Sequence, residues 1–221
     1  MAAGMYVIAV DMSEKALRAN PAHETICGDA LEQLKRLAAH VDFVWASPPC
    51  QSYSRTACWG KTDVTAYPKL IVPVRELLKE TGLPYVMENV VGAREDMVNP
   101  FMLCGIQFEG LKVFRHRLFE TNIQHVQSEC QHRHPSHGKH RIRDPKNVRR
   151  GIVGDFFSVA GNGGGINWGT LEEWFCAMGY FNTSKGGYDK GAMTQRGLCE
   201  SIPPHYSKFI GDAVKHAIIV W

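Results

Sequence analysis

The chain lacks any run of roughly 18 or more apolar residues, so no segment has the length of a membrane-crossing helix. It opens with MAAGMYVIAVDMSE, with no basic stretch leading into a long apolar one, so it does not read as a secretory leader. Its seven cysteines are odd in number, scattered and without a Cys-x-x-Cys pair, which excludes a disulfide framework and points to a reducing cytoplasm. There is no internal repeat, and a net charge of +3 says little as a total. What is present is enough apolar material for a real core: 44% hydrophobic and 10% aromatic over 221 residues. That composition excludes a disordered chain and suits one domain, or one domain with a small appendage.

The charge is unevenly placed. Residues 121–150 hold seven Lys/Arg against Glu129 and Asp144, a net +5, so the remaining chain sums to −2. Five of the ten histidines fall in the same stretch. A basic segment on a near-neutral body is the pattern of a phosphate-facing surface, and a solvated basic loop is the plainer alternative.

Apolar runs at 5–11, 42–47 and 84–90 read as strands, and 24–27 and 113–120 are further strand candidates. Helices are expected over 14–20, from Asp29 through Leu31, Leu34 and Leu37, and over 68–81. This alternation predicts an α/β fold of Rossmann type with a mostly parallel sheet. From 121 to 170 the hydrophobic period fades and GNGGG appears at 161–165, as in a loop-rich lobe. Helical patterns return over 170–178, 192–200 and 205–219. The expected divisions are a core at 1–122, a basic His/Gly-rich recognition segment at 123–170, and C-terminal helices at 171–221.

Chemistry-bearing residues fall at the predicted strand ends. Pro48-Pro49 gives a stiff exit from a buried strand, holding the Cys50 thiol at the carboxyl edge of the sheet, where open α/β sheets bind ligands. A thiol there is a candidate nucleophile, although a buried structural role is the commoner fate of cysteine. Glu88 ends another predicted strand and can serve that edge as an acid or hydrogen-bond donor. Arg115 and Arg117, two apart on a predicted strand, should point the same way. Surface ion pairing is the bland account of the arginines.

SPPCQSYS (47–54), MENVVGA (87–93), LCGIQFEG (103–110) and VFRHRLFETN (113–122) resemble, in order and spacing, the core motifs of DNA cytosine-5 methyltransferases. MTQRGLCESIPPHYSKFIG (193–211) resembles the C-terminal region of a bacterial and phage branch of that family, with a role in restriction or protection of DNA. The resemblance implies a Rossmann-like methyltransferase fold and methyl transfer from S-adenosylmethionine to carbon 5 of a cytosine flipped out of duplex DNA. It implies that Cys50 adds to carbon 6, that Glu88 holds ring nitrogen 3 and the exocyclic amine, and that Arg117, with Arg115 beside it, helps hold the base and the cysteine loop. Val113 departs from the glutamine common in the family. Gln51, Ser52, Ser54 and Arg55 would close over the flipped nucleotide. Arg141, Arg143, Arg149 and Arg150, in the position of the family's recognition segment, would contact DNA.

MYVIAVDMS resembles the family's second strand, which assigns Asp11 to the cofactor ribose and Met12 to the adenine. CGDALE assigns Asp29 and Ala30 to the adenine side, and Pro48 joins them at the cofactor edge. Asp11 and Asp29 can equally be helix caps. The family's first strand and its glycine loop, which approaches the methionine end, have no counterpart here. S-adenosylmethionine is therefore expected to bind this chain weakly on its own, unless an upstream segment or a second chain supplies the loop. A non-catalytic DNA-binding relative, another carbon-5 cytosine-modifying enzyme and an enzyme of free nucleotides remain the alternatives. The cluster His125, Cys130, His132, His134, His137 and His140 has the spacing C-x-H-x-H-x2-H, which matches no common structural zinc pattern, so a DNA-facing loop with titratable histidines is expected there and zinc is the lesser alternative.

Overall fold

The computed structural model describes residues 4–18, 20–54, 67–124, 126, 128, 130, 139–141, 155–157, 159, 171–180 and 195–219. Its elements are β1 (Ile8–Asp11), α1 (Glu14–Arg18), β2 (Glu24–Cys27), α2 (Ala30–Leu37), β3 (Val44–Ala46), α3 (Ile71–Thr81), β4 (Tyr85–Asn89), β5 (Phe101–Leu103), β6 (Arg117–Thr121), β7 (Lys139–Arg141), β8 (Asp155–Phe157), α4 (Leu171–Ala177), α5 (Gln195–Glu200) and α6 (Pro204–Ile219). None of the described helices is long and apolar enough to cross a membrane.

Three helices carry local start or stop signals. Asp29 accepts hydrogen bonds from the Leu31 and Glu32 amides and so caps α2. Ser13 accepts from the Ala16 amide at the start of α1. Pro73 falls in the first turn of α3, where a missing amide hydrogen costs little, and Gly82 closes that helix at φ 69°.

The first half is built as expected. β1 and β2 are parallel across α1, in register from Ile8 with Glu24 to Asp11 with Cys27. β3 and β4 are parallel across α3, from Val44 with Tyr85 to Ala46 with Met87. The expectation of a mostly parallel sheet then fails. β6 lies antiparallel to β4, in the order β3-β4-β6-β5, and β7 and β8 form an antiparallel pair. A parallel return needs a crossover, usually helical. Among the described residues, the only helical elements between β4 and β6 are short 3-10 turns at Val91–Asp96 and Gly105–Gln107, on either side of β5. β5 was not anticipated, because three residues after a proline carry no readable period. The strand expected over 113–120 begins only at Arg117.

β1-β2 and β3-β4-β6-β5 are separate sheets; among the described residues no ladder joins them. The consequence shows in burial. All five residues of β4 are buried, whereas the apolar residues of β1 and β3 are only half-buried. α2 has an apolar face, yet none of its residues is buried.

The chain divides into two compact units. One comprises Met1–Phe101, Leu118–Gln127 and Ser207–Trp221, the other Met102–Arg117 and Ser128–Tyr206. The first is centred on Ile71, Leu78, Val86, Met87, Leu118 and Phe119. A buried ion pair links two of its elements: Arg75 of α3 donates to both Glu120 carboxylate oxygens on β6 at 2.6 and 2.8 Å. Glu120 also accepts from the Val98 amide and the Tyr85 hydroxyl, so its lone pairs are well used. The second unit is centred on Val113, Trp174, Met178, Leu198 and Tyr206.

Candidate active site

The chain after β3 and the chain after β4 leave neighbouring parallel strands in the same direction. That puts the Pro48-Pro49-Cys50 turn and Glu88-Asn89-Val90 at one carboxyl edge of the first unit. The two are fastened together: the buried Asn89 side chain donates to the Pro48 carbonyl at 3.0 Å. The Asn89 side-chain oxygen accepts from the Val90 amide at 2.9 Å, which fixes the orientation of the amide group. The turn itself is closed by the Tyr53 amide donating to the Cys50 carbonyl at 3.0 Å.

A second contact requires glycine. A Cβ at Gly92 would sit 2.1 Å from the Tyr53 carbonyl oxygen, so ENVVG and PPCQSY approach backbone to backbone. Tyr53 continues outward, its hydroxyl donating to Asp96 at 2.8 Å. Burial first, and that carboxylate second, push the Tyr53 hydroxyl up to about 12, so it stays a proton donor.

Cys50 is half-buried and Glu88 is buried at 9% exposure. Glu88 sits opposite Phe119 in the register of β4 and β6. In the turn, the Gln51 side-chain oxygen is buried, and no hydrogen-bond partner for it occurs among the described residues. Such an atom is costly unless a ligand meets it. Ser52 and Ser54 complete the described part of the turn, and Arg55 lies outside the described residues.

The arginine pair corrects the sequence argument. Arg115 precedes β6, so the shared strand face assumed for Arg115 and Arg117 does not exist. Arg115 is buried, and its guanidinium donates to the carbonyls of Ser201 (2.7 Å), Val159 and Cys199. Its own carbonyl accepts from the Tyr206 hydroxyl at 2.6 Å. It therefore clamps the chain around α5 and β8 within the second unit. Arg117 opens β6 and donates to the His116 carbonyl at 2.9 Å.

Asp11 and Asp29 follow the carboxyl ends of the paired strands β1 and β2, the first at the last position of its strand. One Asp11 oxygen accepts from the Ser13 amide at 2.6 Å, and Asp29 caps α2 with Ala30 as its first residue. Asp29 thus fills the capping role expected of it, whereas Asp11 turns the chain ahead of α1, whose first turn Ser13 serves. Met12 is 75% exposed beside them, an apolar surface that a planar ring can cover. This edge sets the Asp11 carboxylate beside an exposed apolar side chain, a pairing that a sugar diol and a planar base could meet.

Arg141 falls on β7, of which the backbone alone is described. Arg143, Arg149 and Arg150 lie outside the described residues, as do His125, His132, His134 and His137. Sequence reasoning assigned no role to Glu120 or Asn89. An acid inside an apolar strand, and an amide directly after Glu88, were the available signals.

No protein-family model matches the chain, and no curated protein matches it. Among solved structures, a methyltransferase of Entamoeba histolytica, EhMeth, is similar over 96% of this chain and 89% of its own, with a TM-score of 0.51 and 14% identity. At that identity the likeness is one of fold: this chain has a mixed α/β architecture shared with a methyltransferase.

Proposed function

We propose that the protein is a DNA (cytosine-5) methyltransferase, or the cytosine-attacking part of one, with Cys50 as nucleophile. The observation that carries this is the fastening of the Cys50 turn to the strand end bearing Glu88, through the Asn89 to Pro48 hydrogen bond and the Gly92 approach. A nucleophile and an acid are thereby held on one rigid edge, the condition for oriented attack.

In this reading the Cys50 thiolate forms a bond to carbon 6 of cytosine. The carbon 5–carbon 6 π pair is displaced, leaving carbon 5 electron-rich. Glu88 holds a proton at ring nitrogen 3 and accepts from the exocyclic amine, which drains charge from the adduct. S-adenosylmethionine supplies an electrophilic methyl group for carbon 5 when bound. Loss of the carbon 5 proton then restores the double bond and expels the Cys50 thiolate. Asp11, Met12, Asp29, Ala30 and Pro48 are the residues that would hold the cofactor. Arg117 steadies the base and turn, and Arg115 acts at a distance by holding the segment from which Arg117 leaves.

The substrate is duplex DNA with its target cytosine flipped out, since the edge carrying Cys50 cannot reach a stacked base. The basic 121–150 stretch is its phosphate-contacting surface. The half-buried β1 and β3, and the half-buried apolar face of α2, favour a form completed by a further strand and glycine loop. These would come from another polypeptide or from sequence outside these 221 residues.

The test follows from the adduct and needs no cofactor. An electron-rich carbon 5 takes up a solvent proton, so the protein should exchange the carbon 5 hydrogen of cytosine in DNA. Cys50→Ser should abolish exchange while DNA is still bound, and Glu88→Gln should slow it by roughly 10²-fold or more. Exchange that persists in Cys50→Ser, or its absence in a wild-type chain that binds DNA, would sink the assignment.

A further inference from the structure

The second unit contains a cluster that the cytosine chemistry does not use. The ligand-capable atoms of Cys104, His116 and Cys130 all lie within 4.8 Å of one another. The His116 Nε2 and the Cys130 sulfur are 3.2 Å apart. In a tetrahedral zinc site, with Zn–S about 2.3 Å and Zn–N about 2.0–2.1 Å, neighbouring ligand atoms stand roughly 3.5–3.8 Å apart. Shifts of about 1 Å or less bring these three atoms onto such a site.

The surroundings hold the cluster in place. Cys104 is fully buried and packs with Phe114, against which Ile106 and the half-buried Cys130 also lie. The Cys104 amide donates to the Gln107 side chain at 2.7 Å, and the Gln107 amide donates back to the Cys104 carbonyl at 3.0 Å. The Gln107 side chain also donates to the Ser128 hydroxyl at 2.6 Å, two residues before Cys130. A Cβ at Gly105 would stand 2.0 Å from the Val113 carbonyl oxygen, so the turn after Cys104 presses on the segment leading to His116. Three stretches distant in sequence are thus brought to one point by contacts independent of the ligand atoms themselves.

We propose that Cys104, His116 and Cys130 bind a zinc ion that staples these three stretches together, with water or a further protein group as fourth ligand. Two thiolates and an imidazole select zinc over magnesium or calcium, which prefer oxygen. Sequence spacing conceals the set, because its intervals of 12 and 14 residues belong to no short motif.

The full chain, purified under reductant without chelator or added metal, should carry about one zinc per chain by atomic emission. Cobalt(II) exchanged into it should give the intense d–d bands of a tetrahedral site and thiolate charge-transfer absorption. Cys104→Ser, Cys130→Ser and His116→Gln should each lower zinc content at least ten-fold, while Cys176→Ser, exposed on α4, should keep it. Should a variant misfold, the wild-type metal content and cobalt spectrum still decide. Wild-type protein without zinc and without thiolate–cobalt bands overturns the proposal, as does zinc retained in all three variants, or a Cys104–Cys130 disulfide found in place of metal. None of these readouts depends on DNA or methyl transfer.

Discussion

Arg75 and Glu120 show how much one buried pair can carry. Both are nearly inaccessible, and the pair joins α3 to β6 beneath the strand end that bears Glu88. Removing one partner leaves a buried charge uncompensated, at a cost of about 3–5 kcal/mol. Arg75→Met should lower the denaturation free energy by that amount in urea, and adding Glu120→Gln should recover part of it. His205 is a second case. Burial lowers its pKa below the ordinary 6.5, and its Nδ1 is buried with no hydrogen-bond partner among the described residues. The unfolded chain therefore binds more protons as pH falls through about 6.5, so the stability held with neutral His205 is lost from that pH down to its folded pKa. A pH series of thermal melts should show this loss, and His205→Gln should flatten it; an unchanged slope would show that other groups set it.

At the scale of elements, the parallel β-α-β units were readable because each combines an apolar run, a turn signal and an amphipathic helix. β3 with α3 and β4 followed that rule, and α2 began at Asp29 as its capping chemistry requires. The sequence misplaced the start of β6 because the apolar pairs Val113-Phe114 and Leu118-Phe119 flank RHR and read as one strand, whereas Val113 bridges to Phe157 and only Arg117 onward joins β4. The tight approach of Gly105 to Val113 holds residues 113–116 in irregular backbone and delays the strand to Arg117. Arg115 thereby became a clamp on three carbonyls. The basic stretch belongs to this scale too. With +5 over residues 121–150, it should dominate the salt dependence of DNA binding. Replacing Arg141, Arg143, Arg149 and Arg150 by Ala should reduce the slope of log K against log salt by about one unit per lost phosphate contact, with thermal stability little changed. An unaltered slope would show that these side chains do not meet phosphate.

For the whole molecule, the decisive feature is that, among the described residues, β1-β2 and β3-β4-β6-β5 form separate sheets where a doubly wound domain has one. β1 and β3 are left half-buried, and the apolar face of α2, Leu31, Leu34 and Leu37, is half-buried too. In the proposed function Asp11 and Met12 would hold only the adenosine half of S-adenosylmethionine. Losing two or three hydrogen bonds to the other half, each worth about 1 kcal/mol and more when charged, should weaken binding by roughly ten- to a thousand-fold. Calorimetry on the 221-residue chain should show weak or undetectable binding. Adding a polypeptide that carries a strand and glycine loop should tighten it and start methyl transfer. Tight binding by the chain alone would mean that another part of it closes the site.

The residue identities by themselves determined the helix caps, the βαβ units and the nucleophile-like turn, because these depend on contacts within a few residues and on the period of apolar side chains. Tertiary structure decided what joins distant segments. It set the antiparallel return of β6, the Asn89 bond that fastens the Cys50 turn, the enclosure of Glu120, and the meeting of Cys104, His116 and Cys130. Each depends on long-range approach of backbone to backbone or side chain to side chain, and no local period in a sequence encodes such an approach.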